Sequence, residues 1–218
     1  MNQNWWILLI VLVIIIVLLV LWWQSRQNRA HGGGGNGQQL SGDQHKQLVN
    51  MSRSLDKLSY IQREYLIAIL SKQGGFCTGQ VADRLANASS DMGNIFASFT
   101  NSETGTKLTE LLTNKGKLLE NIIVLLKNKQ PYNKELEAVS AINAQQAELL
   151  ASTIPGIDKA KLQGHLDSLF AKTIDEAKAI MSNQCMNSLT IFETDIMDAN
   201  MALVNDLMGP LAAHLRKQ

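Results

Sequence analysis

Cysteine is scarce in this 218-residue chain: it has two, Cys77 and Cys185. A disulfide framework is therefore excluded, and each thiol reads as a small buried or half-buried residue. Proline is scarcer still for the length, with three residues, which leaves long stretches free to be helical. There are four histidines, and the Glu-x-x-His motif of helical di-metal sites is missing because Leu162 and Leu211 stand three residues before His165 and His214. Net charge is +1, so no basic face is available to neutralise phosphates, and nucleic acid is not an expected partner. No phosphate-binding glycine loop, nucleophile elbow or zinc spacing occurs. The reading assigns no catalytic residue, no metal and no cofactor.

What is present is distributed very unevenly. All four tryptophans lie in the first 23 residues, as Trp5–Trp6 and Trp22–Trp23, and positions 7–21 between them are fifteen consecutive aliphatics. Nineteen helical residues (5–23) span roughly 28 Å, the thickness of bilayer hydrocarbon. Fifteen Ile, Leu and Val contribute about −7 kcal/mol to insertion. Paired indoles at both ends suit the two membrane interfaces. A cleaved signal peptide is disfavoured, because Met1–Asn4 carries no Lys or Arg and WWQSRQNR offers no small-residue cleavage site. Residues 1–23 are therefore expected to be a single-pass transmembrane anchor. Arg26 and Arg29 follow it, which places the body on the cytoplasmic side with reduced thiols.

Residues 24–43 contain the run Gly32–Gly35 and almost nothing apolar to bury. They are expected to form a flexible linker with an r.m.s. reach of roughly 25 Å. From Gln44 to the end, residues 44–218, apolar residues recur every three or four positions in about six blocks. Gly74–Gly75, Asn128–Pro131 and Pro155–Gly156 punctuate them, Thr78 and Asn101 or Ser102 are candidate caps, and Gly209–Pro210 is a candidate kink or end. No strand alternation competes. The expected fold class is all-α: a membrane helix, a Gly-rich linker and an antiparallel bundle of about six helices.

Within the bundle one polar group stands out. Arg84, Asn87 and Asp91 fall at i, i+3 and i+7 on one helical face, and Arg63 on the preceding helix is a candidate partner for Asp91. Such a patch can face a ligand, but polar networks in bundles more often fix helix register, and that is the reading favoured here. Met181, Met186, Met197, Met201 and Met208 are at helical spacing and are expected to fill core.

The blocks IQREYLIAILS (61–71), RLANASSDMGNIF (84–96), LTELLTNKGKLLENII (108–123) and NAQQAELLASTIP (143–155) resemble, in order and spacing, an uncharacterised helical-bundle family of spore-forming bacteria and large double-stranded DNA viruses. The resemblance covers about residues 55–215. Arg63, Arg84, Asn87, Asp91, Gly93, Asn143 and Thr173 stand at matching positions. The family's aromatic–His pair in the first helix is absent here, its third-block His is Lys115, and a later His corresponds to Leu169. The resemblance implies the bundle fold and a viral-membrane or virion setting, and it adds no reaction. The expected function is a membrane-anchored, non-enzymatic interaction module whose partners are the lipid bilayer and a protein. The alternative is a ligand-binding or enzymatic bundle using Arg63, Arg84, Asn87 and Asp91.

Overall fold

A computed structural model describes residues 39–70 and 78–217, all within the unit Gln39–Gln218. The expected anchor with its four tryptophans, the linker as far as residue 38, and Cys77 lie outside the described residues. The described residues are helical, with no strand among them. No helix of theirs is long and apolar enough to cross a membrane.

The helices are α1 (Gly42–Leu70), α2 (Thr78–Phe99), α3 (Ser102–Lys127), α4 (Asn133–Thr153) and α5 (Lys159–Met181). A sixth rod follows, made of α6 (Cys185–Thr190), a π-helical stretch (Ile191–Ile196) and α7 (Met197–Leu215). The local sequence explains most of the ends. Helix α1 starts two residues before the expected boundary because Ser41 and Gln44 form a reciprocal capping box, each backbone N–H bonding the other's side chain. Asn101 caps α3 by accepting from the Thr104 N–H, and Asp158 caps α5 by accepting from Lys161. Helices α3 and α5 close alike: Lys129 and Asn183 take left-handed backbone (φ 54° and 56°), and the next N–H reaches back to Leu125 or Ala179. Pro210 neither ends nor splits the last helix, which continues to Leu215.

Cross-helix pairs fix the topology. Glu64 meets Arg84 while Lys57 meets Asp91, so α1 and α2 are antiparallel. Asn143 meets Asp167 while Glu148 meets Lys159, so α4 and α5 are antiparallel too. The last rod runs back along α5, from Glu176–Ser188 to His165–Asp206, and antiparallel to α1, where Asn200 bonds Asp56 and Gln44 bonds the Leu215 carbonyl. The closest crossing is α2 on α3. A Cβ placed on Gly105 would lie 2.5 Å from the Gly93 carbonyl oxygen and 2.7 Å from the Ala97 Cβ. Two glycines facing each other let these backbones touch.

Two apolar cores result. One gathers Met51, Phe96, Phe99, Ile154, Leu211 and Leu215 at the end where α1 begins. The other gathers Leu66, Leu119, Ile122, Ile123, Phe170 and Ile174 toward the opposite end. Between them lies a layer that contains polar side chains.

Candidate functional site

The polar residues singled out in the sequence separate into two groups. Arg84 and Asp91 sit on the outside. Arg84 pairs with Glu64 at 2.6 Å, and Asp91 pairs with Lys57 at 2.9 Å instead of the expected Arg63. All four of these side chains are about half exposed, so the pairs are clips across solvent. Asn87 is exposed on the same face. Three residues on one helical stripe were legible in the sequence, but their partners on α1 depend on the helix crossing.

Arg63 points elsewhere. Its Nε donates to the Glu176 carboxylate at 2.7 Å, and its guanidinium lies 4.7 Å over the Phe192 ring. Glu176 is buried, and burial pushes its carboxyl above the usual range in spite of the bonds from Arg63 and Ser188. Thr173, one turn earlier on α5, accepts from the Gln62 side chain beside Arg63. Phe192 lies in the π-helical stretch, where the wider turn interrupts regular α-helical packing. Tyr60 meets the same ring edge-on at 5.0 Å between centroids.

Asn143 belongs to a second interior network. Its Oδ1 accepts from Lys115 Nζ at 3.0 Å, and its Nδ2 donates to Asp167 at 2.8 Å, with the Ser140 hydroxyl also donating to Asp167. Burial pushes the Lys115 amine down to about 8, and the charge of Asp167 draws it partly back. Glu176, Asp167 and Gln146 were not singled out as site residues. A lone acid or amide on an apolar stripe gives no sign of which neighbour it will meet.

These networks border a chamber of about 80 Å³ between the two cores. Its wall includes Leu55, Leu85, Leu112, Phe170, Lys115 and Asn200. A cleft of about 260 Å³ between α1, α2 and α3 shares Leu85, Ser89, Leu112 and Gly116 with it and carries Tyr65 and Glu120. Burial and a hydrogen bond to Glu120 push the Tyr65 hydroxyl up to about 12. Among the described residues no three His, Cys, Asp or Glu side chains gather in a way that could hold a metal ion.

Two expectations need correction. Cys185 is exposed, because it opens α6 at a solvated corner. Met186 and Met201 are 74% and 62% exposed and Met181 is also exposed, so these three do not fill core. Met181 ends α5 and Met186 lies in the first turn of the last rod, both at its solvated corner, while Met201 lies beyond the π turn, which shifts the face that follows it.

No protein-family model, curated protein or solved structure matches the chain.

Proposed function

We propose that this protein is a membrane-anchored interaction module, which holds a helical body beside a bilayer and presents it to a protein partner. The observation that carries the proposal is the uneven sequence. Fifteen consecutive aliphatics bracketed by tryptophan pairs precede a glycine-rich stretch, and a capped, self-contained bundle begins at Gly42. A tether of that length keeps the body at an effective concentration on the order of mM near its partner, so weak contacts suffice. The resemblance to a family with viral members makes a viral membrane or virion component the favoured setting. The arginines after the span favour a cytoplasmic body. The alternative of one ligand site built on Arg63, Arg84, Asn87 and Asp91 draws no support from their placement, since they engage three different partners or none.

The test is fractionation of the full-length chain. It should resist alkaline extraction from membranes and be released by detergent. An Ile14→Arg/Ile15→Arg double substitution adds about 5–7 kcal/mol of insertion cost and should shift the chain to the soluble fraction. Recovery of the unaltered chain without detergent overturns the anchor. Cross-linking in intact membranes that yields lipid adducts alone overturns the protein partner.

A further inference from the structure

The chamber between the two cores raises a question that the tethering role leaves open: what occupies it. Nine of its fifteen lining residues are leucine or phenylalanine, so water inside would meet few partners on most sides. The polar wall is largely committed. The Ser59 and Ser89 hydroxyls bond the carbonyls of Leu55 and Leu85 on their own helices, Gln62 donates to Thr173, and Asn200 donates to Asp56. Lys115 is the one charged side chain on the chamber wall. Lys115 has three N–H donors, of which one goes to Asn143. No ion pair joins Lys115 to Asp167 among the described residues, and the Asp167 charge acts on it only from farther off. An ammonium on the wall of an apolar space lacks an anionic partner.

Size narrows the choice. An apolar cavity of about 150 Å³ holds benzene, so a chamber of about 80 Å³ suits a smaller body. We propose that this chamber binds an aliphatic monocarboxylate of about two to four carbons, its carboxylate held by Lys115 and its alkyl body among the leucines. The neighbouring cleft supplies the approach. At the residues it shares with the chamber stands Gly116, where an added Cβ would meet the Leu85 Cδ2 at an ordinary 3.8 Å. Leu85, Ser89, Leu112 and Gly116 line both spaces, so little separates the chamber from the cleft. The depressed basicity of Lys115 agrees with this reading, because a buried ammonium without a direct counter-ion gains from an incoming anion. The site does not depend on the anchor.

The experiment titrates the full-length protein in detergent micelles with ¹³C-carboxyl propionate, with 1-propanol and n-propylamine as neutral and cationic controls. Propionate should show saturable, one-to-one broadening with a Kd of roughly 0.1–1 mM, and neither control should saturate. Lys115→Met should weaken binding at least about tenfold. Leu203→Phe, which fills the chamber and leaves the charge in place, should abolish it, and it decides the matter if the lysine variant does not fold. No saturation by about 20 mM in the unaltered protein overturns the proposal. So does equal binding of propanol, or binding that survives both substitutions.

Discussion

The outer seam between α1 and α2 and the interior layer beneath it use the same residue types to different ends. On the seam, Lys57–Asp91 and Arg84–Glu64 join two helices across water, where the Coulomb energy is screened and long side chains stay mobile. In the interior, Arg63–Glu176 and Lys115–Asn143–Asp167 join helices through shielded contacts, where each group depends on its partner to offset lost hydration. Arg84, Asn87 and Asp91 lie on the seam, while Arg63, Asn143 and Thr173 lie inside, so the polar residues singled out in the sequence serve two physical roles.

Removing an interior acceptor should have the largest effect. Glu176→Ala leaves Arg63 facing Phe192 and Ser188 without its carboxylate, and should cost about 3 kcal/mol in urea unfolding. Glu176→Gln should cost less, since burial already favours the neutral acid. A Glu176→Ala loss no larger than that of a seam variant would erase the distinction.

Lys115 sharpens it through pH. Its folded amine titrates near 8, below the unfolded value of about 10.4. Between these values the unfolded chain binds more protons, so stability should rise with pH, by about 2 kcal/mol from pH 8 to 10. Above pH 10 the trend should reverse. Tyr65 keeps its proton to about 12 when folded and loses it near 10 when unfolded. Lys115→Met should flatten the rise between pH 8 and 10, as read from denaturation midpoints; a persistent slope would assign it to another group.

A smaller loss should follow at the backbone crossing that sets the geometry of both regions. Gly105→Ala gains about 1 kcal/mol of helix propensity but drives a methyl against the Gly93 carbonyl and Ala97. A net loss of about 1–2 kcal/mol is expected by thermal unfolding. The smallest effects belong to the seam. Asp91→Asn and Arg84→Gln should each change stability by less than about 1 kcal/mol, and less again in high salt. A seam variant that unfolds the bundle would show that exposure misjudges these pairs.

Much of the helical architecture can be read directly. Asn101 caps a helix, and Pro155–Gly156 follows the end of α4. Apolar residues such as Leu48, Met51, Phe96, Leu119 and Phe170 recur at helical period and are buried. The methionine stripe fails because the five residues are split between α5 and the last rod, and period alone does not say which face of either meets the core. The site was less legible. Helical spacing shows that Arg84, Asn87 and Asp91 share a stripe, but it does not show that Glu64 and Lys57 stand opposite.

The sequence by itself determined where helices start and stop, which stripe of each is apolar, and that the first two dozen residues differ in kind from the rest, because caps, breakers and hydrophobic period act over a few neighbouring residues. Only the tertiary structure decided that Arg63 pairs with Glu176, 113 residues away, and that Lys115 stands on the wall of an apolar chamber. Such pairings depend on how closely helices cross, as at Gly93 and Gly105, and that distance is set by packing the whole bundle at once.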